Sequence, residues 1–144
     1  MKAPAKILVA VDFSETSDRA LEAAIVYAKQ FGASLDLVHA FTLPVAFVSP
    51  YEVAIPEGFF DDARKGAVKT LNENLAKAEA AGVQATATLI EEQATKALTD
   101  FVERQQIDLL IMGTRGHTGL KHVLLGSVAE RTLHRAGCSV LVVK

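Results

Sequence analysis

Gly113, Gly116, Gly126 and Ser127 stand in the spacing Gly-x2-Gly-x9-Gly-Ser toward the C-terminal end of the chain. An apolar run over residues 107–112 leads into them, and an amphipathic helical pattern over 128–136 leads away. A glycine-rich loop between a buried strand and a helix N-terminus suits a phosphate group. Glycine lets the main chain approach closely, unpaired N–H groups point outward, and the helix dipole favours negative charge. Between Gly113 and Ser127 the chain also carries Arg115, His117, Lys121 and His122 and no acid. In a protein of formal charge −2 that local excess matches a polyphosphate, although a solvated basic loop would have the same composition. Ser127 has a second reading as a plain N-cap, and both uses draw on the same orphan N–H groups.

Other chemistry is thinner. Asp12, after the first apolar run, is a candidate ligand contact and a possible metal ligand; the alternative is that it only caps or braces its own loop. Glu91 and Glu92 read as a solvated helix start rather than a metal site. Cys138 opens an apolar run and reads as a buried, inert thiol, and one cysteine forbids an internal disulfide. The motif is not a Walker loop, because no Gly-x4-Gly-Lys-[Ser/Thr] run exists. Nor does a Gly-x-Gly-x-x-Gly fingerprint follow the first strand, where Asp12-Phe13-Ser14 stands instead. Hydrolysis of a nucleotide needs a positioned water, a metal clamp and a cationic group. Asp12, Arg115 and Lys121 could serve in part, but no convincing base is present; His117 reads better as a phosphate contact or surface imidazole. Slow turnover at most is expected.

These residues need a frame, and the chain supplies one. Apolar runs at 7–11, 34–40, 83–90, 107–112 and 138–143 alternate with four helical patterns. Ser14 can cap the first helix, with Glu15 and Asp18 in its first turn, Leu21, Ala24, Ile25 and Ala28 on one face and Gly32 as its stop. Val68, Leu71, Leu75 and Ala78 space a second helix ended by Gly82, and Ala94, Leu98, Phe101 and Val102 a third. The fourth spans 126–136. Near-continuous apolar strands separated by helices predict an α/β fold: a doubly wound, Rossmann-like, five-stranded parallel sheet with helices on both faces. The expected strand order is 3-2-1-4-5. Ligands then sit beyond the carboxyl ends of the strands at the switch point, with Asp12 and Gly113 flanking the crevice.

In that order, the blocks 7–14 (ILVAVDFS), 109–116 (LLIMGTRG), 124–131 (LLGSVAER) and 138–144 (CSVLVVK) resemble the nucleotide-binding class of the universal stress protein family. The likeness runs along the whole chain, 1–144, as a single domain. It implies an adenine nucleotide, usually ATP with a divalent cation such as Mg2+ or Mn2+. By position, Gly113, Gly116, Gly126, Ser127 and the Val128 backbone would hold the phosphates. Asp12, Ala40 and Met112, with backbone at Ala10 and Val11, would meet the adenosine end, and Thr114 and Arg115 lie at variable positions within the loop. The chain departs from the family at Glu91-Glu92-Gln93-Ala94, where a glycine and a proline are common. The resemblance further implies a stress-linked role and a homodimer paired through strand five: Ser139, Val140, Leu141, Val142 and Val143.

Composition sets the remaining bounds. At 144 residues, half of them hydrophobic and 22% charged, the chain is long enough for one well-buried core. Its acidic balance argues against general nucleic-acid binding. No signal peptide or spanning segment is apparent, since prolines and glutamates interrupt residues 41–60, so a cytoplasmic location is expected. That proline-rich stretch, with Phe47, Tyr51, Phe59 and Phe60, could be a nucleotide lid, part of an interface, or a loop folded onto the domain. Three functional readings follow: a nucleotide-dependent regulator with an unidentified protein partner, a slow ATPase or phosphotransferase, and a dimeric scaffold with a structural nucleotide.

Overall fold

A computed structural model of the protein describes residues 2–42, 56–116 and 125–144. Five parallel strands form one sheet in the order β3-β2-β1-β4-β5, as expected. They are β1 (Lys6–Ala10), β2 (Ser34–Ala40), β3 (Ala85–Ile90), β4 (Leu109–Gly113) and β5 (Ser139–Val143). Between them run α1 (Glu15–Phe31), α2 (Phe59–Ala80), α3 (Ala94–Gln105) and α4 (Ser127–Arg135).

The inner stretches of β1 and β4, Ile7 to Val9 and Leu110 to Met112, are apolar because both faces are covered. Ile7 and Val9 of β1 join Leu21, Ala24 and Ala28 of α1 and Leu71 and Ala78 of α2 in one cluster. Leu8, between them in sequence, points to the other face and joins Leu98 and Val102 of α3 and Ala129 of α4. The period of two thus sends neighbouring side chains into separate cores. Ile7, Leu8 and Val9 are fully excluded from solvent, each burial contributing about 1.5–3 kcal/mol. Register places Ile7 between Leu35 and Leu109, and Val9 between Leu37 and Ile111.

Local signals account for both ends of α1. The Ser14 hydroxyl accepts from Ser17 N–H at 3.3 Å to start α1. Gly32, at φ +63°, ends it with its N–H on the Ala28 carbonyl. One boundary differs from expectation. The second helix begins at Phe59, well ahead of Val68, which shortens the loop expected over 41–60. Its first turns expose residues 61–66 and so lack the apolar period that marks a helix. The expectations for Phe47 and Tyr51 fall outside the described residues.

The sheet turns its crossovers in opposite directions at β1 and β4. From β1 the chain enters α1 on one face; from β4 it passes to α4 on the other. A crevice opens between the carboxyl ends of those two strands. Among the described residues, no helix is long and apolar enough to cross a membrane.

Candidate functional site

The crevice is a cavity of about 480 Å3, within the range that small-molecule sites occupy. One end is apolar, walled by Ala10, Val38, Ala40, Leu98 and Met112. The other is made of the loop Gly113–Gly116 and the start of α4. All eleven residues singled out from the sequence line it: Ala10, Val11, Asp12, Ala40, Met112, Gly113, Arg115, Gly116, Gly126, Ser127 and Val128. His117, Lys121 and His122 lie outside the described residues.

Thr114, at the other variable loop position, lines the crevice too, and six lining residues had no place in the expected site: Ser17, Val38, Thr42, Ala94, Leu98 and Ala129. Some had a usable signal. Val38 and Thr42 flank Ala40 at the strand period of two, and Ala94 and Leu98 share a helix face at i, i+4. Ser17 and Ala129 carry no such mark.

At the polar end, α4 begins without a side-chain cap. Its N-cap is Gly126, not Ser127, and the cap makes no side-chain hydrogen bond to the first turn. Ser127 is the first helical residue, so its capping reading is set aside. The leading N–H groups of α4 and the positive end of its dipole therefore lie at the cavity without a side-chain cap. Gly126 is tied back by its N–H to the Thr114 carbonyl at 2.6 Å, while Thr114 N–H reaches the Val143 carbonyl at 2.8 Å. The Thr114 hydroxyl is buried with no hydrogen-bond partner among the described residues.

The glycines sit where the protein is crowded, most tightly at Gly113. A Cβ at Gly113 would lie 2.7 Å from Thr16 Oγ1 and 2.9 Å from the Thr16 carbonyl carbon. At Gly116 it would meet Asp12 Oδ2 at 2.7 Å, and at Gly126 the Thr114 oxygen at 3.2 Å. The loop thus lies flat against the N-terminus of α1, where Thr16 Oγ1 donates to the Arg115 carbonyl at 2.5 Å. Asp12 braces the same turn: its Oδ1 accepts from Ser14 N–H at 3.0 Å and from the Ser14 hydroxyl. Asp12 is also the acid among the lining residues.

Elsewhere, candidate chemistry resolves into structure. Glu91 pairs with Arg64, and Glu92 with Lys96 at 3.5 Å. Gln93 caps α3 by accepting from Lys96 N–H. No group of three or more potential metal-ligating side chains occurs among the described residues. Burial pushes the Cys138 thiol up, which disfavours a reactive thiolate. A more open groove of about 610 Å3 follows α2 past Arg64, Lys65, Val68 and Lys69. It is lined by one helix's side chains, without strand ends or free helix N–H groups, so the crevice is the better candidate.

The universal stress protein family profile matches residues 5–144. The chain belongs to the universal stress protein family. Universal stress protein MJ0531 of Methanocaldococcus jannaschii is 36% identical over 143 residues, covering 96% of this chain and 81% of that protein. YxiE of Bacillus subtilis, also a universal stress protein, is 33% identical over 145 residues, covering 96% and 98%. UspA from Lactobacillus plantarum has the same fold, with a TM-score of 0.86 at 19% identity over the full length of both chains. Two further solved structures share the fold. One is a universal stress protein in complex with cAMP, TM-score 0.75 at 24% identity, covering 99% of each chain. The other, from Archaeoglobus fulgidus in complex with dAMP, has a TM-score of 0.68 at 20% identity, covering 99% and 100%.

Proposed function

We propose that the crevice binds an adenine nucleotide, ATP with Mg2+ or Mn2+, and that this universal stress protein is a nucleotide-dependent regulator acting in the cytoplasmic stress response. The observation that carries the reading is the uncapped N-terminus of α4, which enters the cavity beside the glycine loop and offers N–H groups and positive potential to an anion. The apolar end, between Ala40, Leu98 and Met112, suits a purine. The cAMP and dAMP complexes of structural neighbours support this ligand class on this fold. A cation would travel with the nucleotide, held chiefly by phosphate oxygens, with Asp12 the acid at hand.

Regulation is favoured over rapid hydrolysis. The described lining includes no His, Glu or Lys to serve as general base or terminal-phosphate clamp, and one Asp12 oxygen is engaged by Ser14. The chain has no Trp and only two Tyr, so a co-purifying adenine base would dominate its absorbance near 260 nm. Calorimetry on stripped protein should detect ATP binding, and a time course should find ADP release slow. An empty crevice at millimolar ATP overturns the reading; brisk multiple turnover replaces the regulator with an enzyme.

A second copy of the chain is the proposed partner. β5 lies at the edge of the sheet, and Val140 to Val143 are half-buried there. Antiparallel pairing of two β5 strands about a two-fold axis would cover that edge. Pull-downs with and without nucleotide then separate a regulator, whose partners change, from a scaffold, whose partners do not.

A further inference from the structure

The junction of β1 and β2 departs from a regular ladder beside the crevice. In a parallel pair, one residue turns its N–H and its C=O toward the same neighbouring strand. Val11 N–H donates to the Val38 carbonyl at 2.9 Å, so the next rung would run from Ala40 N–H to the Val11 carbonyl. His39 Nδ1 stands 2.7 Å from that carbonyl instead, and no bond runs from Ala40 N–H to the Val11 carbonyl. A carbonyl only accepts, so Nδ1 carries the proton and donates it.

The same ring does a second job. It stacks on Phe13, with centroids 4.3 Å apart and planes at 26°. Phe13 sits at φ +65°, a left-handed conformation that a bulky residue holds only when its surroundings impose it. Phe13 follows Asp12 directly, so this turn sets how the Asp12 loop leaves β1. Along β2, Val38, Ala40 and Thr42 line the cavity while His39 alternates to the far side.

We infer that His39 is a positioning residue of the site: by taking the Val11 carbonyl and bracing Phe13, it leaves the Ala40 N–H for a ring acceptor of the ligand. The inference rests on reading the crevice as an adenine-nucleotide site. His39 itself works from behind the strand and touches no ligand.

Residue-resolved hydrogen exchange and ATP titration on the full chain test it. In the nucleotide-free protein the Ala40 amide should exchange fast, and ATP should slow it. His39→Phe keeps a ring against Phe13 but frees the Val11 carbonyl for Ala40. That amide should then be protected without ligand, and ATP affinity should fall about tenfold, the worth of one good hydrogen bond. His39→Asn can still donate to Val11 and should stay within about threefold of the unmodified protein. Protection of Ala40 in the unmodified, ligand-free protein overturns the inference, as does undiminished ATP binding by His39→Phe, or His39→Asn binding as weakly as His39→Phe. Should the unmodified protein ignore ATP, the site reading falls on its own. The ligand-free exchange of Ala40 in the two proteins still decides what His39 does.

Discussion

At the scale of single residues, the motif glycines are distinguished by what each touches. A methyl at Gly113 would press on main-chain and side-chain atoms of Thr16 at once. Relief requires moving the start of α1, so Gly113→Ala should destabilise by about 1–3 kcal/mol, the usual cost of overpacking. At Gly116 the close atom is a carboxylate oxygen of Asp12, which a small rotation can withdraw. Gly116→Ala also restricts the unfolded chain, a gain of about 0.4–1 kcal/mol. The two effects should nearly cancel. Denaturant midpoints measure both variants, and equal losses would contradict the contact assignment. Asp108 gives a residue-level pH prediction. Its carboxylate accepts the N–H groups of Lys6 and Ala5, both at 2.9 Å, which hold its pKa below the usual carboxylate value. A depressed pKa means the stabilisation is fully present above the unfolded value of about 3.9 and is lost as pH falls through the lower folded value. Asp108→Asn should therefore lower the melting temperature at neutral pH, and its deficit should shrink on acidification below about pH 4. A deficit independent of pH would mean the charge plays no part.

At the scale of elements, the open end of α4 makes stability and binding pull in opposite directions. Ser127→Asp places a carboxylate at the first helical residue, next to uncapped N–H groups. Without ligand it should stabilise the fold by about 0.3–1 kcal/mol through the helix dipole. The same charge should repel a polyphosphate and weaken ATP binding about tenfold or more. Thermal melts and calorimetry on one preparation check both signs; a variant that loses stability as well as affinity would point to simple damage. Elements were legible in the sequence wherever burial was complete. Ile7-Leu8-Val9 reads as a strand because both faces are covered, and Ser14 and Gly32 mark α1 because capping is local chemistry. The start of α2 was not legible, since its first turns meet solvent all round. The candidate site was legible as a crevice through its glycines and the strand ends before them. Their reason was not: that Thr16 and Asp12 crowd Gly113 and Gly116 follows from tertiary approach across about a hundred residues, which no local pattern encodes. Glu91 shows the same limit, because its partner Arg64 sits in α2, whereas Glu92 pairs locally with Lys96.

At the scale of the whole molecule, the glycine loop and the sheet edge are one structure. Thr114 N–H bonds the Val143 carbonyl, and the Arg19 guanidinium reaches the Lys144 carbonyl at 3.3 Å. The candidate site is therefore fastened to the last residues of β5, the strand proposed to pair with a second copy. Because Val143 turns its polar backbone toward β4, Val142 must turn its own outward, into the open edge. Proline at 142 would delete an N–H that β4 does not use, and proline is tolerated at such edge positions. Val142→Pro should thus keep the fold while abolishing pairing across the edge. Light scattering should give a dimer for the unmodified chain and a monomer for the variant, with circular dichroism alike in both. A variant that stays dimeric would move the interface away from β5. An unmodified chain that is monomeric at working concentration would remove the interface altogether and leave the β5 edge covered by its own side chains.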